Sequence, residues 1–264
     1  MPKFAANLTM LFQEVSFLDR FAQSANAGFK YVEYLFPYEW AAELLAKQLA
    51  DHGLQQVLFN LPAGNWIKGE RGIASLPGRE HEFREGLELA IHYAEKLNVK
   101  QVNCLSGLLP EHHAAAVFPE HWETLVENVR YAAHELEKHN IQLLLEPINS
   151  KIDMPGFLLD TLDKALHLIQ ECQSSNVRIQ FDIYHMQIMQ GDIIRNLAQY
   201  LPMIGHIQFA DNPGRHEPGS GELNFQRIFS SLDELNYTGW VSAEYIPKNT
   251  TADSLKWFSS ALSD

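Results

Sequence analysis

The chain has 264 residues, 46% hydrophobic and 20% charged, which is the composition of a globular protein and the length of one large α/β unit. A formal net charge of −13 argues against a nucleic-acid surface or an anionic membrane as partner. Cys104 and Cys172 sit in or near apolar segments, as buried free thiols in a reducing compartment do, and no stretch nears the ~20 apolar residues of a membrane span. A soluble, cytoplasmic protein is expected.

Strands and helices alternate from the start. Phe4–Asn7 reads as a strand and Val15–Ala27 as an amphipathic helix stopped by Gly28. Lys30–Leu35 is the second strand, and Trp40–His52 a helix stopped by Gly53. Gln55–Asn60 is the third strand, followed by the long Gly/Pro-rich loop LPAGNWIKGERGIASLPGR. Helix Glu80–Leu97, strand Lys100–Cys104, helix Pro119–His139 and strand Ile141–Glu146 come next. Then follow helix Thr161–Cys172, strand Val177–Asp182, helix Ile193–Tyr200, strand Met203–Phe209, helix Phe225–Leu235, strand Trp240–Glu244 and a final helix over Ala252–Leu262. Short, continuously apolar strands separated by helices imply a parallel sheet, and eight of them close a barrel. One domain over 1–264 is predicted, a single (β/α)8 barrel with its chemistry at the C-terminal ends of the strands.

Four of these strands deliver an oxygen-bearing side chain at or near that end: Glu146, Asp182, Gln208 and Glu244. A carboxylate placed directly after Leu143–Leu145 is costly to bury unless it meets a cation or a metal. Three carboxylates and one amide form a hard, all-oxygen set, suited to Mg2+ or Mn2+. A divalent ion on the oxygens of a hydroxy-carbonyl compound acidifies the neighbouring C–H, and two glutamates can then move the proton. Glu146 and Glu244, from the fifth and eighth strands, are the natural acid–base pair. No G-x-G-x-x-G follows the first strand and no P-loop occurs, so no nucleotide cofactor is expected.

The stretches FAANLTMLF (4–12), VEYLFPYEW (32–40), NLPAGNWIKGERGIASLPGREHEFREG (60–86), LLLEPIN (143–149), DMPGF (153–157), IQFDIYHMQ (179–187), GHIQFADNPGRHEPGSGELNF (205–225) and GWVSAEYIP (239–247) resemble the hydroxypyruvate isomerase family, within the xylose-isomerase-like barrels. The resemblance spans nearly the whole chain. It implies interconversion of hydroxypyruvate and tartronate semialdehyde in glyoxylate- or tartrate-type carbon metabolism. It also implies that Glu146 and Glu244 act as proton donor and acceptor, with Glu146, Asp182, Gln208 and Glu244 around a divalent metal. Gln208 stands where sugar epimerases of the wider superfamily usually carry histidine, which implies weaker metal affinity.

For the substrate's carboxylate the loops offer Arg215, whose alternative is a surface pair with Glu217, and then Lys68 and Arg71 on the long loop, read as a lid over the mouth. His185 is placed to touch a substrate oxygen. Glu33 is read as an acceptor that orients a Lys or Arg side chain, and Phe12, Phe36 and Trp66 as walls of the mouth. His112 and His113 read as a solvated loop. The partner is thus a small 2-oxo or hydroxy acid, with a homo-oligomer compatible with apolar surface on the outer helices. Competing readings are a 2-oxo-tetronate isomerase or other small ketose–aldose enzyme, a phosphodiesterase of the endonuclease IV type, and a non-enzymatic binder of small acids. Net charge and Gln208 count against the nuclease, and two buried carboxylates that would repel an anion count against the binder.

Overall fold

Apolar runs of four to six residues satisfy their backbone groups in ladders and bury both faces, which is what a closed parallel sheet provides. The computed structural model describes residues 2–110 and 114–261. Its strands are β1 (Lys3–Asn7), β2 (Tyr31–Glu33), β3 (Gln55–Leu58), β4 (Gln101–Cys104), β5 (Gln142–Leu145), β6 (Val177–Asp182), β7 (Ile204–Phe209) and β8 (Trp240–Ala243). They pair in parallel in the order β3-β2-β1-β8-β7-β6-β5-β4. Between β3 and β4 the ring is completed by a bridge at Asn60 and Asn103. There the Asn103 N–H donates to the Phe59 carbonyl (3.0 Å) and the Leu61 N–H to the Asn103 carbonyl (2.8 Å). The chain is a single (β/α)8 barrel, as the strand count predicts.

Its helices are α1 (Arg20–Asn26), α2 (Ala42–Asp51), α3 (Glu80–Leu97), α4 (Ala114–Lys138), α5 (Leu162–Cys172), α6 (Ile183–Met189), α7 (Ile193–Tyr200), α8 (Phe225–Glu234), α9 (Thr251–Ser254) and α10 (Lys256–Ala261). Three differ from the sequence expectation. The first helix opens as a 3-10 turn, Phe17–Asp19. α4 starts ahead of Pro119: Ala114–Ala116 are strong helix formers, and the helix carries Pro119 inside it at the cost of one backbone hydrogen bond and crowding of the preceding turn. The last helix breaks at Leu255 into α9 and α10. α6 is an addition: seven residues are too few to show a helical period, and its one signal was the capping residue, Asp182, whose Oδ1 accepts the Tyr184 N–H at 2.8 Å. No helix among the described residues is long and apolar enough to cross a membrane.

Side chains alternate along each strand between two environments. Phe4, Ala6, Val102, Leu143, Leu145, Ile179, Phe181, Ile207 and Val241 belong to the main core under the helices. Between them, Ala5 and Leu144 join Tyr31 and Trp240 in a separate apolar cluster that plugs the base of the barrel. Above that plug the inward positions are polar and buried: Gln101 and Asn103, Gln180 and Asp182, His206 and Gln208, Ser242 and Glu244, each pair two residues apart. Polar layers so placed must satisfy one another, which is what shapes the site.

The long loop after β3 is tied to its neighbours. A 3-10 turn, Trp66–Lys68, is capped by Asn65, and Glu70 pairs with Arg79 at 2.5 Å. Gly72 lies at φ +110°, and a Cβ there would run into the Leu105 carbonyl beneath it. Gly72→Ala is therefore expected to lower stability by ~2–4 kcal/mol in urea titration. A loss under ~1 kcal/mol would mean that the loop yields without cost.

Candidate active site

Asp182 and Glu146 reach the mouth from adjacent strand ends, and with His185 they offer atoms all within 4.8 Å of one another. The folding of each is local. Asp182 uses one oxygen to cap α6, and this leaves Oδ2 buried with no hydrogen-bond partner. The helix so started carries His185 one turn on, with Nε2 3.5 Å from Asp182 Oδ2 and 3.9 Å from Glu146 Oε1. Asn149 fixes that ring. Its Oδ1 accepts the Ile152 and Asp153 N–H groups, so its Nδ2 must donate, and it does so to His185 Nδ1 at 2.7 Å. The proton of a neutral His185 then lies on Nε2, facing the carboxylates as a donor. Burial, and then Arg215, hold the His185 pKa well below the usual value, so the ring stays neutral.

Each glutamate has one oxygen pinned by side-chain amides. Glu146 Oε2 accepts from Asn103 Nδ2 at 2.9 Å, which leaves Oε1 toward His185. Glu244 Oε1 accepts from Asn7 Nδ2 (3.0 Å) and Gln208 Nε2 (3.1 Å), and its Oε2 meets Arg215 Nη2 at 2.8 Å. Arg215 also lies 3.9 Å from Asp182 Oδ2 and 3.6 Å from Asp153 Oδ1, over the face of Tyr184. Its Nε is buried and unpartnered. Glu217, the surface partner weighed for Arg215, instead accepts the Lys248 N–H.

These charges are unbalanced. Burial, followed by Glu244 and Asp182, raises the Glu146 pKa well above the carboxylate range. Burial pushes Glu244 up to about 8, with Arg215 opposing and Asp182 and Glu33 adding. Asp182 is pushed up to about 6 by burial, again against Arg215. Three buried carboxyls facing one guanidinium leave negative charge uncompensated, and the orphaned Asp182 Oδ2 is an oxygen in want of a donor or a cation. Glu146 and Asp182, whose oxygens lie within 4.8 Å of each other, are the pair suited to a hard divalent ion. Gln208 turns its amide nitrogen toward Glu244, while its oxygen accepts from Gln180 Nε2 at 2.6 Å. His185 presents N–H and so acts as a donor, not as a ligand.

Glu33, Asn7, His206, Gln180, Asn103, Asn149 and Asp153 surround this group. Glu33 is an acceptor, as expected, but its donors are Asn7, Gln208 and His206 and not a Lys or Arg. Polar residues at i, i+2 inside apolar strands were the sequence signal for Gln180 and His206. Among the described residues, no hydrogen bond or ion pair joins Lys68 or Arg71 to Glu146, Asp182 or Glu244. Lys68 is exposed, and Arg71 stacks on Trp66 (4.1 Å) and donates to the Trp66 and Glu70 carbonyls. Phe36 packs against Trp66 at 5.2 Å, and Phe12 is buried. His112 and His113 lie outside the described residues. The 880 Å³ groove lined by Phe4, Phe225, Phe229 and Trp257 is on the barrel's outer side, away from this chemistry.

The family model for xylose isomerase-like TIM barrels matches residues 21–261. The chain is 49% identical to a hydroxypyruvate isomerase of Escherichia coli K12 over 97% of its length and 98% of that protein's. It is 44% identical to a 2-oxo-tetronate isomerase of Cupriavidus necator, with 97% of each chain covered. A solved structure from Brucella melitensis, described as an AP endonuclease of family 2, superposes with a TM-score of 0.94 at 43% identity, covering 98% of this chain and 99% of that one.

Proposed function

The chain belongs to the xylose isomerase-like TIM barrel family and, within it, to the hydroxypyruvate isomerases, and on that premise we propose that it interconverts hydroxypyruvate and tartronate semialdehyde. It is an isomerase of small hydroxy-keto acids. One observation carries the mechanism: Glu146 and Glu244 each have one oxygen held by amide N–H groups, while the other meets His185 in Glu146 and Arg215 in Glu244. One glutamate takes a proton from C3 of hydroxypyruvate, and the electron pair moves to give the enediolate. The other glutamate delivers a proton to C2, the proton of the C3 hydroxyl passes to the C2 oxygen, and the carbonyl moves from C2 to C3. Carboxyls with raised pKa values hold and release protons near neutral pH, as this requires.

His185 Nε2–H is placed to donate to a substrate oxygen, and Asn149 keeps it in that tautomer. Arg215, with an unpartnered Nε–H, is the cation for the substrate's carboxylate. Mg2+ or Mn2+, held by Glu146 and Asp182, would polarise the hydroxy-carbonyl oxygens and stabilise the charge that develops on them. Gln208 would have to turn its amide end for end to add its oxygen to that set. The nuclease reading wants several histidine ligands, whereas among the described residues this cluster has one imidazole, and that one donates. The buried thiol of Cys104, pushed up to about 12 by burial, suits a reducing cytoplasm.

The test is proton NMR of the protein with hydroxypyruvate in D2O, with and without EDTA. The expected result is tartronate semialdehyde carrying solvent deuterium, lost on chelation and restored by Mg2+ or Mn2+. Turnover of a four-carbon 2-oxo acid in place of hydroxypyruvate would move the assignment to the activity named for the C. necator relative. Failure on both would overturn the isomerase mechanism.

A further inference from the structure

The interior of the barrel below the two glutamates holds a chain of polar side chains that the proton transfer itself does not use. Gln101 Nε2 lies 3.1 Å from His206 Nδ1, and an amide nitrogen can only donate, so Nδ1 is an acceptor and the His206 proton is on Nε2. That N–H reaches Glu33 Oε2 at 2.8 Å. The other oxygen of Glu33 accepts twice, from Asn7 Nδ2 at 2.9 Å and from Gln208 Nε2 at 2.7 Å. All of these residues are buried.

The orientation of both amides is forced. Asn7 Oδ1 already accepts the Thr9 N–H at 3.0 Å, and Gln208 Oε1 accepts from Gln180 at 2.6 Å. Turning either amide over would put its oxygen against an acceptor-only carboxylate. Each NH2 therefore spans two carboxylates, one proton to Glu33 Oε1 and the other to Glu244 Oε1. Without the acceptor on Glu33, one N–H of each amide has no partner, and Asn7 and Gln208 are held only through their oxygens, by the Thr9 N–H and by Gln180.

We infer that Glu33, clamped by His206, is a positioning residue for Glu244: it supports the Asn7 and Gln208 amides so that both donate to Glu244 Oε1, which leaves Oε2 on the side of Arg215 and the substrate. The inference rests on the isomerase reading, in which Glu244 is one of the two proton-transferring groups.

It is tested by steady-state kinetics on folded Glu33→Gln, His206→Gln and His206→Leu proteins. A carboxamide at 33 offers a single oxygen to three N–H donors, so Glu33→Gln is expected to lower kcat ~10–100-fold. KM should stay within about twofold, since the substrate's own contacts are untouched. His206→Gln keeps an N–H in the place of Nε2 and should retain kcat within about threefold, whereas His206→Leu should fall with Glu33→Gln. Wild-type kcat in Glu33→Gln, a loss lying wholly in KM, or equal loss in both His206 variants would overturn the inference. Should the variants not fold, side-chain amide NMR of the unsubstituted protein decides. Slow hydrogen exchange at both NH2 groups is expected, and exchange at the rate of an exposed amide would overturn it. If the unsubstituted protein converts neither three- nor four-carbon acids, the isomerase reading falls instead, and the amide exchange still reports on Glu33.

Discussion

Glu146→Gln and Glu244→Gln are each expected to lower kcat by ~10²–10⁴-fold, the contribution of a positioned general acid or base. The substitution keeps the shape of each side chain, and an amide can still accept from the N–H that pins it. What it cannot do is take a proton from carbon or return one. The two variants should nevertheless differ in one respect. If the group removed is the one that serves C3, hydroxypyruvate keeps its C3 hydrogens in D2O. If it is the one that serves C2, the enediolate still forms and collapses back, so C3 hydrogens wash out without net turnover. NMR of the substrate alone therefore assigns the roles. Near-wild-type kcat in either variant would remove that glutamate from the mechanism.

Glu146→Gln should also gain stability at alkaline pH. The folded-state pKa of Glu146 lies above its unfolded value, so the carboxyl contributes stability below the unfolded value, and that contribution is lost as pH rises through the folded one. Glutamine has no such loss. Loss of turnover with a gain in stability is the expected mark of a site that holds like charges together for its chemistry.

Arg215→Met is expected to cost ~3–5 kcal/mol at pH 8, because it strands the charges of Glu244 and Asp182 in the barrel mouth. The cost should depend on pH with a definite sign. Both carboxyls have folded pKa values raised by burial, to about 8 for Glu244 and about 6 for Asp182, and Arg215 opposes the rise in each. Without it the values climb further, and more of the stability present at low pH is lost as pH increases. At pH 5 both groups are largely protonated in the folded protein, and the substitution should cost little. Taking the difference between variant and wild type in urea, with EDTA present, cancels the part of the opposing His185 effect that comes from burial. The part due to Arg215 itself also makes the substitution cost less at low pH. The buried His185 has a folded pKa below its unfolded value, so it loses stability as pH falls. A pH-independent difference would mean that Arg215 contributes packing over Tyr184 and little charge compensation.

The strand-end carboxylates were legible in the sequence because nothing else explains an acid after three leucines. Burial of Leu143–Leu145 puts Glu146 at the rim, and the same holds for Asp182 behind Phe181 and Glu244 behind Ala243. Arg215 was legible as the cation of its loop, but its partners were not. The surface pair with Glu217 was the local option, yet Arg215 reaches Glu244, twenty-nine positions along the chain. Lys68 and Arg71 show the limit of composition as a guide. They are basic residues on a loop at the right face, and in the fold Lys68 is exposed while Arg71 is spent on Trp66 and backbone carbonyls.

The sequence by itself determined the barrel and the four strand ends that carry Glu146, Asp182, Gln208 and Glu244. Period and punctuation set the strands and helices, and the cost of burying an unpaired acid marks the rim. Only the tertiary structure decided what each oxygen and nitrogen does there. Asn7 and Glu244 are 237 residues apart and meet because β1 pairs with β8, while His206 and Glu33 are 173 apart and meet only across the barrel interior. Amide orientation, ring tautomer and the choice of the working oxygen follow from such contacts. A hydrogen bond needs both partners in place, and closure of the barrel is what brings them together.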